Sequence, residues 1–306
     1  GVAVHPGQAG GKFGAPATLP GVGGNDRLEF IPLGNARPAI LASGRTVSVS
    51  LAGPDGRYAA PVPLSSGGSG AEYFVAIPCL KDNVTLSLVQ GVSRGTVSRQ
   101  AYRLAGTGPQ ALAQFPGSGL AASEIALAYA PAAGSLPGRL ACQNLADGGV
   151  FLLLDSQERV PVASLPGRLS AQWADLDGDG ATELVILQKE AAKVSCYKYD
   201  AASRACVPLA AKPLEAIQAE PVSDALPADF NQDSRPELLL VQGTVLRALY
   251  GASALQEFRP VSPVSAAAAG DATADGRTDL VVIMGQGEIH LLVNQGGTPA
   301  PAMGDA

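Results

Sequence analysis

Short apolar runs separated by glycine- and proline-rich turns fill this chain. Residues 46–51, Thr-Val-Ser-Val-Ser-Leu, alternate polar and apolar with the period of two that half-buried strands require, and residues 38–42 before them are continuously apolar. Residues 73–77 and 83–89 predict the next strand pair, and 124–129, 139–145 and 150–154 predict three more strands. Further apolar runs begin at Glu183, Glu237 and Asp279, the last followed by 288–294. No amphipathic helical stretch of convincing length interrupts them, so the chain is expected to be all-β. Candidate inner strands begin near 39, 73, 124, 183, 237 and 279. A unit of about 50 residues is the size of a four-stranded propeller blade. Six blades fit best, and seven is the competing count because the spacings between 73, 124 and 183 are irregular.

An aromatic-glycine-proline turn is also repeated. Lys12-Phe13-Gly14-Ala15-Pro16 returns as Arg57-Tyr58-Ala59-Ala60-Pro61, with the aromatics 45 residues apart. A proline so placed is confined to an edge strand, which predicts the outer strand of a blade. The last apolar unit has a short outer part that residues 2–19 can complete. Terminal strands sharing one blade would then leave no sheet edge open.

The polar positions carry the chemistry. Asp175, Asp177, Asp179 and Glu183 stand at positions one, three, five and nine of a loop with glycines at positions four and six. Four carboxylates so close repel one another unless a cation sits among them, and hard oxygen ligands at alternate positions suit calcium. The pattern returns as Asp229, Asn231, Asp233 and Glu237, and again as Asp271, Thr273, Asp275 and Asp279, at spacings of 54 and 42 residues. Site two has Ser234 where the others have glycine, and site three has only three carboxylates, so affinity is expected to fall from the first loop to the others. An EF-hand shares positions one, three and five, but it closes with an acid at position twelve and is flanked by helices. Here the last acid is at nine and a strand follows. Upstream, 31–37 and 115–119 lie where such loops would be and lack the acids. The expected organisation is one propeller domain over 1–306, with degenerate blades over 1–170 and three calcium-loop repeats over 171–295.

Composition narrows the partners. The formal charge of the 306 residues is -6, but ten acids lie in the three loops, so the rest of the chain is net basic by four; three Ca2+ would bring the total to zero. No basic run supports nucleic-acid binding. No apolar run approaches the 18 residues of a membrane span, so a soluble protein is expected. Cys79, Cys142, Cys196 and Cys206 form no C-x-x-C pair. Cys196 and Cys206 bracket a hairpin tip and are the candidate disulfide, with buried thiols as the alternative. His5 and His290, the only histidines, and the loop serines Ser69 and Ser118 have no catalytic partners placed by sequence. Trp173, the only tryptophan, is expected to pack beside the first loop.

Taken together, the three D-x-[DN]-x-D-type loops and the repeated aromatic-glycine-proline turn resemble the FG-GAP or VCBS repeat family. The resemblance is specific over about residues 170–295. It implies a β-propeller with calcium in loops between the outermost strand of one blade and the innermost strand of the next. It also implies that the carbonyls of Ala181, Arg235 and Arg277 complete the three ligand sets. The function expected from this is a secreted or periplasmic, calcium-stabilised module that binds another protein or a cell-surface polymer, or serves as a subunit of an extracellular assembly. The alternative is a polysaccharide lyase or dehydratase, activities that some propellers of this kind carry.

Overall fold

The structure, a computed structural model, describes residues 2–4, 7–8, 12–13, 17–19, 27–33, 36–43, 46–53, 58–64, 73–81, 84–105, 108–209, 221–233, 236–250, 254–259, 262–271, 275–285 and 289–296. These residues form strands and turns with no helix, so none is long and apolar enough to cross a membrane.

Six antiparallel meander sheets follow one another along the chain, the six blades of a β-propeller. They fall into two compact units, one of residues 1–5 and 15–164, the other of 6–14 and 165–306. In the first unit the sheets are β5 (Arg27–Leu33), β6 (Ala36–Ser43), β7 (Val47–Ser50) and β8 (Val62–Leu64); β9 (Tyr73–Lys81), β10 (Val84–Ser93), β11 (Thr96–Ala105) and β12 (Gly108–Leu112); and β13 (Glu124–Ala130), β14 (Arg139–Asn144), β15 (Gly149–Leu154) and β16 (Arg159–Ser164). In the second they are β17 (Leu169–Ala174), β18 (Glu183–Gln188), β19 (Lys193–Asp200) and β20 (Ala205–Pro208); β21 (Asp224–Ala228), β22 (Glu237–Gln242), β23 (Val245–Tyr250) and β24 (Ala254–Phe258); and the three-stranded β25 (Val264–Gly270), β26 (Asp279–Met284) and β27 (Ile289–Leu292).

Burial explains why second strands such as β18 and β22 read as continuous apolar runs. Leu238, Leu239, Leu240 and Val241 of β22 are at most 1% exposed, because the odd and even positions face two different neighbouring sheets. Leu238 and Leu240 pack with Val185, Leu187 and Cys196 of the preceding sheet. Leu239 and Val241 pack with Leu280 and Val282 of the following one. The first unit is built alike: Leu41 and Val49 meet Ala76 and Val89, and Ile77 and Leu88 meet Ala126 and Leu140.

The irregular spacing in the sequence has a simple origin. The runs beginning at 73 and 124 are first strands of their sheets, whereas those at 183, 237 and 279 are second strands. First strands start at residues 27, 73, 124, 169, 224 and 264, a more even series that holds six blades.

Two expectations are corrected. The acidic loops do not connect the outermost strand of one blade to the innermost of the next: each joins the first and second strands of one sheet, β17 to β18, β21 to β22 and β25 to β26. Nor do Cys196 and Cys206 form a disulfide. Cys206 faces Tyr199, three positions along β19 from Cys196, an offset of about 10 Å that also turns the two side chains to opposite faces. At the N-terminus, β1 (Val2–Val4) pairs with β4 (Ala17–Leu19) and β2 (Gly7–Gln8) with β3 (Lys12–Phe13). Residues 6–14 belong to the unit of the last three sheets, and no pairing of these strands with β27 is among the described residues. His5, Ser69, Arg235 and Thr273 lie outside the described residues.

Candidate metal centres

Each acidic loop begins just after a first strand and ends on the residue that opens the second. The register Ala174 to Glu183 closes the first loop, Ala228 to Glu237 the second and Gly270 to Asp279 the third. The position-nine acid is therefore drawn into the sheet: Glu183 and Asp279 are 0% exposed and Glu237 is 2% exposed.

The polar groups of the loops repeat with the sequence. Both oxygens of Asp175 accept loop amides, from Gly178 at 2.7 Å and Gly180 at 2.9 Å; the equivalent Asp271 accepts from Asp275 at 3.1 Å and Gly276 at 2.8 Å. Asp179 accepts from the Ala181 amide as Asp275 does from that of Arg277, both at 2.9 Å. Glu183 Oε2 accepts from the Leu176 amide at 2.7 Å, and Glu237 Oε2 from Phe230 at 2.6 Å. Position six is left-handed in the first and third loops, φ +87° at Gly180 and +83° at Gly276, which is why glycine stands there. Gln232, at position four of the second loop, takes φ +62° where the first loop has Gly178 at +75°.

Two of the loops gather ligands tightly. One oxygen each from Asp175, Asp177 and Glu183 lie within 4.8 Å of one another, and the same holds for Asp229, Asp233 and Glu237. Asn231 is woven into the second set, donating to Asp233 Oδ2 at 3.2 Å and accepting the Asp233 amide at 2.9 Å. In the third loop the buried Asp279 instead accepts the Asn294 amide at 2.9 Å, and Asp275 is paired with Arg277. The second and third loops are tied together: Gln232 Nε2 donates to the Gly276 carbonyl and Asn294 Nδ2 to that of Phe230, both at 2.6 Å.

The set fits a hard cation. Burial pushes the carboxyls of Glu183 and Glu237 up to about 7, against the pull of two backbone amides each and, at Glu183, of Lys198; neighbouring aspartates push further. Glu183 Oε1 is buried with no hydrogen-bond partner. An all-oxygen donor set with a buried, unsatisfied carboxylate oxygen is what calcium satisfies. Asp175, Asp177, Asp179 and Glu183 would hold one ion and Asp229, Asn231, Asp233 and Glu237 another.

Three residues that the sequence does not single out enter these sites. Lys198 on β19 places its ammonium 2.5 Å from Asp177 Oδ2 and Asp179 Oδ2 and 3.7 Å from Glu183 Oε1. Burial alone would lower that ammonium, but its hydrogen bonds to the aspartates outweigh burial and hold it above its ordinary value. Asp179 is in turn held low, chiefly by Lys198. Gln232, within the second loop, and Asn294 are the others; strand pairing brings Lys198 and Asn294 to the loops.

The turn before β13, where the sequence pattern placed a loop stripped of its acids, instead joins one sheet to the next and is held another way. Arg99 donates from Nη1 to the Leu120 carbonyl at 2.8 Å and from Nη2 to those of Ala121, at 3.0 Å, and Glu124. Glu124 accepts the Ala121 amide at 2.7 Å and pairs with Arg159. A guanidinium here does for carbonyl oxygens what an ion does for carboxylates.

Ser118 is an exposed turn residue, His290 lies opposite Val282 on β27, and burial pushes the thiols of Cys79 and Cys196 up to about 12 and that of Cys142 higher still, which leaves them unreactive.

No family model and no curated protein sequence matches the chain. Solved structures do match in fold. The structure of BBS1N in complex with ARL6DN, soaked with lead, is similar at a TM-score of 0.58 and 12% identity, over 96% of this chain and 85% of that one. Virginiamycin B lyase from Staphylococcus aureus is similar at 0.47 and 10% identity, over 88% and 84%. At 12% identity the likeness to BBS1N is one of fold, and it agrees with the six sheets, which make the chain a six-bladed β-propeller.

Proposed function

We propose that this chain is a calcium-stabilised propeller of the FG-GAP or VCBS type whose work is binding: a rigid module, exported to the cell surface, medium or periplasm, that engages another protein or a surface polymer or joins an extracellular assembly. The observation that carries the metal reading is the pair of three-carboxylate clusters, each anchored by a buried glutamate at the first residue of a core strand. Bound there, calcium supplies charge neutralisation and fixes one strand connection. Closed sites of many oxygen ligands serve structure better than hydrolysis, which needs an open coordination position. Export follows from the same reading, since weak calcium sites fill only at the millimolar calcium found outside cells. That BBS1N, a similar fold, is seen in complex with ARL6DN supports a binding role for the scaffold.

Calorimetric titration of the EDTA-stripped chain with Ca2+ tests the metal reading; at least two saturable sites are expected, and absence of binding at millimolar calcium would refute it. Size-exclusion with light scattering, with and without calcium, tests assembly: a calcium-dependent rise in mass supports the assembly form of the proposal and an unchanged monomer removes it.

A further inference from the structure

Read as a metal site, as in the proposed function, the first loop already holds a cation of its own, and the role given to that cation rests on this reading. The Lys198 ammonium stands among the carboxylates of loop positions three, five and nine, within 2.5 Å of two and 3.7 Å of the third. The sheet delivers it there. Leu184 faces Tyr197, so one step further along the ladder sets Lys198 across from Glu183. The same step in the other two repeats, from Leu238 and Leu249 and from Leu280 and Leu292, reaches Tyr250 and Val293, neither of them basic. Of the three acidic loops, the first alone has a lysine at this position.

One ammonium does not satisfy the site. It is monovalent against four carboxylates, and at 3.7 Å it is too far to hydrogen-bond Glu183 Oε1, which remains buried without a hydrogen-bond partner. The unsatisfied oxygen points to a second, more highly charged occupant. The lysine side chain is 26% exposed, so its flexible stem has solvent to move into. Arg99 shows elsewhere in the chain that a basic side chain can hold a blade turn without metal.

We propose that Lys198 is a tethered competitor for the first cation site: with no metal its ammonium bridges Asp177 and Asp179 and keeps the loop assembled, and an entering divalent ion displaces it. Loop one, the richest in carboxylates, is therefore not the tightest site its charge count predicts. It fills only after the ion has outcompeted the lysine.

Trp173 makes the test specific. It is the only tryptophan, two residues before Asp175, and its neighbour Ala174 faces Glu183. Tb3+, excited through Trp173, therefore reports chiefly on the first loop. The full chain, stripped with EDTA, is titrated with Tb3+ and the signal displaced with Ca2+, in wild type, Lys198→Gln and Lys198→Met, the last keeping the aliphatic stem should the amide disturb folding. Removing a unit charge at contact distance should tighten binding by about tenfold or more in both variants. Unchanged or weaker binding in the variants, with wild-type emission saturable, overturns the inference and leaves the calcium reading standing. No saturable emission in any of the three at millimolar ion overturns both.

Discussion

Glu183 and Glu237 are carboxylates placed where water does not reach, and their ionisation has to be matched by a cation or given up to a proton. Burial lifts both to about 7 from an ordinary 4.5. An acid whose folded value is raised binds a proton more readily folded than unfolded, so it favours folding more as the pH falls. In the metal-free chain, thermal stability should rise as the pH is lowered from about 7 toward 4.5. Below that, Glu124 and Glu257, held low by their hydrogen bonds with Arg159 and Arg247, must be protonated, and stability falls. Glu183→Gln should weaken the rise between 7 and 4.5 without moving the fall below it. With saturating Ca2+ the rise should vanish, because the ion selects the ionised form. Melting curves across that range, with EDTA and with calcium, check all three outcomes.

Among the elements, the first strands of the sheets set a distinct problem, since one side of each has no ladder partner. In β13 that side is closed by a side chain: Gln90, fully buried on β10, donates from Nε2 to the Ala126 carbonyl and accepts the Ala126 amide at Oε1, both at 2.9 Å. Gln172 serves β21 similarly, donating to the Ala225 carbonyl. Gln90→Leu keeps the volume but strands two buried backbone groups, so it should cost about 2–4 kcal/mol. Urea denaturation measures this; a loss below about 0.5 kcal/mol would mean that Ala126 finds other partners. Such amide clasps are invisible in the sequence, because a glutamine in a strand looks the same whether it faces water or a neighbouring backbone.

What could be read was the local periodicity. The runs at Leu184 to Leu187 and Leu238 to Val241 announce buried strands, and the spacing of Asp175, Asp177, Asp179 and Glu183 announces the loop. The position of the loops within a sheet was not legible, because first strands such as Leu169–Ala174 are only half buried and carry Ser170 and Gln172. With β17 overlooked, Glu183 reads as the start of a blade. Lys198 was hidden for a different reason. It lies 15 residues beyond Glu183 and meets it only through the register of β18 on β19.

At the scale of the molecule the acidic loops are unevenly shared. All three belong to the unit of residues 165–306, whereas the sheets of the other unit carry none. Removing calcium should therefore loosen one unit selectively. Hydrogen exchange in EDTA should speed up over β18, β22 and β26 and change little over β6, β10 and β14; equal change in both units would contradict this. Three bound ions would also cancel the formal charge of -6, reducing self-repulsion under the conditions in which an assembly would form.

Common to the binding, exchange and pH predictions is that the loops are calcium joints of the fold. Differential scanning calorimetry of the intact chain in EDTA and in excess Ca2+ tests it most directly. Ligand at about 100 times its dissociation constant adds about 2.7 kcal/mol per site, so a rise in Tm of at least about 5 °C is predicted. The same Tm in both buffers, within about 1 °C, would contradict a structural role for calcium.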